Sequence, residues 1–167
     1  MAKKDKKKKK AEKATSEGKT ISENRRARHR FEILEKIECG VMLIGSEVKS
    51  LRDGKLSLNE AYVRVEDREL WLIGADISEY KQASFWNHKP KRARKLLVHR
   101  KQLQKLSSKA FEKGLTLIPL RMYFNSRGIV KVMVGVCRGK KLHDKREAKK
   151  DADNKRRLNR EMRARLK

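Results

Sequence analysis

The chain has 167 residues, 47 of them lysine or arginine against 21 acids, giving a net charge of +26 and a mean hydropathy of −0.89. That length suits one domain with one modest core, and 41% charged residues exceed what such a core can carry, so part of the chain is expected to lie outside it. So strong a positive balance points to a polyanion, either nucleic acid or an anionic membrane surface, and no apolar run is long enough to cross a bilayer.

Residues 1–20 are lysine-rich, contribute +6 of the charge and lack large apolar side chains after Met1, so they are expected to be a disordered extension. A charged start with no hydrophobic segment behind it reads as neither signal peptide nor membrane anchor. Cys39 and Cys137 stand far apart with no CxxC partner, which argues against a zinc site or a disulfide framework and fits a reducing cytoplasmic setting.

Order is expected to begin near NRRARHR at 24–30, where Arg25, Arg28 and His29 belong either to a basic leader into a strand or to an arm that touches phosphates. FEILEKIECGVMLI then reads as two strands broken at Cys39–Gly40. GSEVKSLRDGK at 45–55 reads as a short helix with Ser46 as its cap, Glu47 in its first turn and Gly54 at its end. Lys49 and Arg52 share a face of it. Either the segment is a solvated helix with a surface ion pair, or its cations meet phosphates while Glu47 accepts from base amino groups or ribose hydroxyls.

AYVRVEDRELWLIGADI predicts a hairpin turning at 66–68, with Trp71 in the core and a bend at Gly74. Residues 78–94 are irregular and interleave Tyr80, Phe85 and Trp86 with Lys89, Lys91, Arg92 and Arg94. That pattern suits stacking on unpaired nucleotides, with Trp86 as the platform, or a loop whose aromatics close the end of a barrel. Leu96, Leu103, Leu106 and Ala110 predict a helix within roughly 95–113, and LTLIPLRMYF with IVKVMVGVC predicts a hairpin turning at 125–128. The sum is mainly β: about six short antiparallel strands in a small closed barrel with two or three peripheral helices and basic flexible tails. The barrel domain spans 21–139 and carries +12 of the charge.

Residues 140–167 carry +8, show no strand signal and place Asp151–Lys155, Asp153–Arg157 and Glu161–Arg165 four apart with the acid first. Such a tail is expected to be disordered when free and helical once a polyanion neutralises it. The four histidines lack metal-ligand spacing and read as polar surface or RNA contacts, and no nucleophile elbow or glycine-rich phosphate loop is present, so neither catalysis nor a cofactor is expected.

NxxARHxFxI at 24–33, GSEVKSLRDGK, KPKRARKLLVHR at 89–100, GLTLIPLRMYF at 114–124 and GKKLHDKRE at 139–147 resemble, in that order, the SsrA-binding protein (SmpB) family. The resemblance implies an oligonucleotide-binding-type barrel without enzymatic activity. Such a protein binds the tRNA-like domain of transfer-messenger RNA and takes it to stalled bacterial ribosomes for trans-translation. By motif, Glu47, Lys49, Ser50, Arg52, Lys95, Leu97 and His99 would join Arg25, Arg28, His29 and Trp86 in holding the RNA. Lys140, Lys141, Asp144, Lys145 and Arg146 would serve the ribosome-binding tail, which approaches small-subunit rRNA at the decoding centre and turns helical in the empty messenger channel. Elongation factor Tu, reached through the RNA, would be an indirect partner of a monomeric, non-membrane protein. Two other classes compete with this reading. A general RNA chaperone would bind by charge and stacking alone, and an RNA-processing enzyme would need a carboxylate cluster that the scattered acids do not supply.

Overall fold

A computed structural model describes residues 18–112, 114–141 and, further on, 154, 157, 158, 161 and 162. Its strands are β1 (Thr20–Glu23), β2 (Phe31–Val41), β3 (Leu56–Ser57), β4 (Tyr62–Glu66), β5 (Glu69–Ile73), β6 (Asp76–Ile77), β7 (Arg94–Leu97), β8 (Leu115–Phe124) and β9 (Val130–Gly139). The helices are α1 (Arg25–Arg30), α2 (Gly45–Arg52) and α3 (Arg100–Phe111), with a 3-10 turn at Lys81–Trp86.

Six strands close on themselves in the order β8-β4-β5-β7-β2-β9, with β9 returning to β8, and every pairing is antiparallel. The barrel leaves no free edge along this ring, which is what closure achieves for a small all-β core. The seam is uneven: β2 and β9 pair from Phe31↔Gly139 to Gly40↔Lys131, whereas β4 meets β8 only at Val63↔Leu117. Beyond that point β1 takes over the same edge of β8, pairing with Arg121–Tyr123. Pro119 lies inside β8 and has no N–H to give to a ladder, and the register shifts there, between Pro119 and Arg121.

The interior is filled by Cys39, Val63, Leu70, Leu72, Leu96, Leu117, Met122, Val132, Val134 and Val136. A satellite core of Ala27, Ile118, Leu120 and Cys137 packs under α1. This second cluster is why β9 departs from simple alternation: Val136 faces the main core and Cys137 the satellite, so both faces are covered near its end. Burial pushes the Cys39 thiol up to about 12 and the Cys137 thiol up to about 11, so both are inert small hydrophobes at neutral pH.

Several expectations need correction. Residues 31–41 form one strand with a register shift between Ile33 and Glu35, not two strands broken at Cys39–Gly40. Arg25–Arg30, expected as a leader or arm, is a helix capped by Asn24, whose Oδ1 accepts from the Ala27 N–H at 2.9 Å. Asn24 is buried and also donates from Nδ2 to the Leu58 carbonyl at 2.8 Å and from its backbone N–H to Leu120 O at 2.8 Å, so two bonds from its cap residue fix α1 to the barrel. The helix expected within 95–113 begins only at Arg100, because Arg94–Leu97 pairs with β5 and β2; Leu96 matched the helical spacing by coincidence. Trp71 is half-buried on the outer face opposite Lys95, rather than in the core.

Candidate nucleic-acid interface

α2 starts two residues earlier than its sequence suggests. Its N-cap is Ile44, whose side chain cannot accept a hydrogen bond, and the Glu47 carboxylate reaches back instead to accept from the Ile44 N–H at 2.8 Å. Ser46, expected as the cap, places Oγ 2.9 Å from His88 Nδ1. The helix ends as predicted: the Gly54 N–H donates to Leu51 O and the Lys55 N–H to Ser50 O, a Schellman closure with Gly54 at φ +76°.

The acid at the centre of this segment faces inward. Glu47 is 0% exposed and accepts from Arg92 Nε at 2.8 Å, Arg92 Nη2 at 2.7 Å and Arg94 Nε at 2.8 Å. Arg94 is equally buried and donates onward to the carbonyls of Ala75 at 2.6 Å, Pro90 at 2.9 Å and Arg92 at 3.1 Å. Burial alone would raise the Glu47 pKa, but the Arg92 hydrogen bonds, the Ile44 N–H and the two guanidinium charges outweigh it, and the carboxyl is held below its ordinary range. Glu47 as an outward acceptor for bases, and equally as a surface ion pair, is therefore corrected. Its carboxylate is spent on pinning α2 to the 90–94 segment. Ser50 is corrected likewise: it is buried and donates from Oγ to Ser78 O at 2.6 Å.

His88, read from sequence as a surface residue, is buried between the same elements. Nε2 stands 3.1 Å from the Ile77 carbonyl, which can only accept, so Nε2–H donates there, and Nδ1 stands 2.9 Å from the Ser46 hydroxyl. Asn87 ties off the loop from within, accepting from the Tyr80 N–H at 3.2 Å and donating to Tyr80 O at 2.9 Å.

What this framework holds outward is cationic and aromatic. Phe85 is 99% and Trp86 92% exposed at the end of the 3-10 turn, so neither closes the barrel. Lys49 and Arg52 project from α2, with Lys49 Nζ 5.6 Å above the Tyr80 ring, and Lys89 and Lys91 are exposed beside them. Arg26 of α1 and Lys91 line one small depression with Glu60 and Asp76, which joins α1 to this surface. Arg25, Arg28 and His29 are exposed on α1, Arg28 pairing with Glu23. Leu97 and His99 are exposed where β7 runs into α3, His99 capping that helix through Nδ1; Lys95 pairs with Glu69 on the outer face. Lys140 donates its backbone N–H to Arg30 O at 3.0 Å, so the basic tail leaves the barrel next to α1.

Asp144, Lys145, Arg146 and the three predicted acid-first pairs lie, wholly or in one partner, outside the described residues. Asn154, Arg157, Leu158, Glu161 and Met162 are helical, with Arg157 donating to Glu161 at 3.2 Å. Sequence reasoning missed the inward roles of Arg92, Arg94, His88 and Asn24. The one available signal was the two-residue spacing of Arg92 and Arg94 at the mouth of a strand, which puts both on the same side as the core residue Leu96.

Comparison with known proteins bears on this surface. The family model described as SmpB protein matches residues 21–164. The SsrA-binding protein of Rhodopirellula baltica is 58% identical over 143 residues, covering 86% of this chain and 81% of that relative. The SsrA-binding protein of Rhodopseudomonas palustris strain BisB18 is 50% identical over 155 residues, 93% of this chain and 99% of the other. A solved structure described as "tmRNA-SmpB: a journey to the center of the bacterial ribosome" is 51% identical, covers 72% of this chain and 85% of its own, and superposes with a TM-score of 0.63.

Proposed function

Since the chain belongs to the SmpB family of SsrA-binding proteins, we propose that it binds transfer-messenger RNA and serves with it on bacterial ribosomes in trans-translation. The relatives carry SsrA binding in their name, and the matching structure is described by tmRNA, SmpB and the bacterial ribosome together. The chain acts by binding rather than catalysis, in keeping with an RNA-binding family, and works in the cytoplasm, where its RNA and ribosome are. No helix among the described residues is long and apolar enough to cross a membrane.

The observation that carries the reading is the inward Glu47–Arg92–Arg94 cluster beneath an outward display of Lys49, Arg52, Lys91 and Trp86. A polyanion binder that worked by charge alone would gain nothing from burying two arginines and a carboxylate to fix one loop. Preorganisation is worth its desolvation when a folded RNA must be met in one register. We therefore assign the tRNA-like domain to the face made by α2, the 78–94 loop, Leu97, His99 and α1. Glu47 and Ser50 act there as positioning residues, and Lys140, Lys141, Asp144, Lys145 and Arg146 lead the tail toward the decoding centre. Elongation factor Tu is met through the RNA.

The test is a competition assay at near-physiological salt, with labelled tRNA-like domain challenged by excess ordinary tRNA and by unstructured RNA. Survival of the complex against both is expected. Displacement in proportion to competitor charge would reduce the protein to a general polyanion binder. Ending the chain before Asp144 should leave this binding intact and abolish tagging on stalled ribosomes; persistent tagging would remove the tail from the decoding centre.

A further inference from the structure

The β4–β5 hairpin turns through Asp67 at φ +49° and Arg68 at φ +57°. Two successive left-handed residues make the tight turn that suits right-twisted strands, and its second position favours glycine. Aspartate tolerates that conformation by bonding its own backbone locally, but arginine has no such compensation, so Arg68 sits there against its conformational preference. Its side chain lines a groove of about 700 Å³ with Arg100, Leu103, Gln104, Ser107 and Ser108, all on one side of α3.

Neither guanidinium has a hydrogen-bond or ion-pair partner among the described residues. The glutamates that flank this turn are engaged elsewhere: Glu66 stands 3.8 Å from Arg64, and Glu69 pairs with Lys95. Gln104 and Ser107 add uncharged polar groups, while the Ser108 hydroxyl donates to Gln104 O at 3.1 Å. From Arg100 to Ser108 the helix runs about 12 Å, room for successive phosphates of a backbone rather than for one free ion. The pairing Leu70↔Leu96 sets Glu69 opposite Leu97, so Arg68 falls one step past the exposed Leu97, level with Val98 and next to the exposed His99.

We propose that the groove between the β4–β5 turn and α3 is a second phosphodiester-binding subsite, in which Arg68 and Arg100 take consecutive phosphates of an RNA strand. The inference rests on the RNA-binding reading above and extends its surface past Leu97 and His99. Planar forks are the donors that meet phosphate oxygens in pairs, which accounts for an arginine in a place where glycine would fold better. Transfer-messenger RNA and ribosomal RNA offer the same chemistry.

Arg68→Gly, Arg68→Lys and Arg100→Gln in the full chain separate the possibilities. Relief of the left-handed arginine should raise the melting temperature of Arg68→Gly by about 2–4 °C. The same variant should weaken transfer-messenger RNA binding about fivefold and flatten its salt dependence by about one phosphate contact, a gain in stability coupled to a loss of affinity that a structural role would not produce. Arg100→Gln should show the same flattening, and Arg68→Lys, which keeps the charge, should retain most of the slope. If the isolated RNA is bound normally but tagging at stalled ribosomes falls, the strand in the groove is ribosomal. If neither affinity, slope nor tagging changes while the wild type still selects the tRNA-like domain, the subsite is refuted and the main reading stands. A wild type without that selectivity overturns both.

Discussion

Replacing Glu47 with alanine leaves Arg94 charged, fully buried and without the carboxylate it bonds, and such a rupture costs about 3–5 kcal/mol. A large drop in the chemical denaturation midpoint is expected, and RNA affinity should fall even under conditions where the variant remains folded, because Arg92 and the 78–94 loop lose their anchor. The pH dependence follows from the same group. The folded carboxyl titrates below its ordinary value of 4.5, so its contribution is complete above that value and is lost as pH falls through the lower, folded one. Glu47→Gln should accordingly flatten the acid limb of the stability profile while leaving the rest of its shape unchanged. Sequence alone could not reveal this, since an acid flanked by Lys49 and Arg52 looks the same whether it faces solvent or a buried arginine drawn from 47 positions further along.

At the scale of elements, the 78–94 loop separates holding from contacting. Asn87, His88, Arg92 and Arg94 hold it, while Phe85 and Trp86 touch nothing that would order them from within. Trp86→Ala should therefore leave the melting temperature within about a degree and weaken tRNA-like-domain binding by roughly tenfold, the worth of one base stack. Unchanged affinity would move the RNA off this loop. The elements that sequence made legible are those whose pattern and punctuation agree: the β4–β5 and β8–β9 hairpins, the Gly54 terminus and the Leu103–Leu106–Ala110 face of α3. Those that misled were governed by distant partners. Arg94–Leu97 is a strand because β5 and β2 flank it, and α1 is a helix because Asn24 finds Leu58 and Leu120.

At the scale of the whole molecule, a net charge of +26 should make RNA binding fall steeply with salt, by roughly 10³-fold or more between 50 and 200 mM if six or more phosphates are met. If the 78–94 loop selects the tRNA-like domain as proposed, that selectivity should survive the titration, because the loop is held by buried bonds that salt screens little. Composition announced the partner class and the alternating runs announced a barrel; the fixed face between them rests on burial, which composition does not record. The uneven seam has a further consequence, for the making of the protein. Strand β2 is synthesised early, yet its principal partner is the last strand of the barrel, joined from Phe31↔Gly139 to Gly40↔Lys131. A nascent chain that stops anywhere before Val130 thus has no partial barrel to settle into; it is an open sheet with an apolar edge, sticky and readily degraded. Folding must wait until β9 has been made.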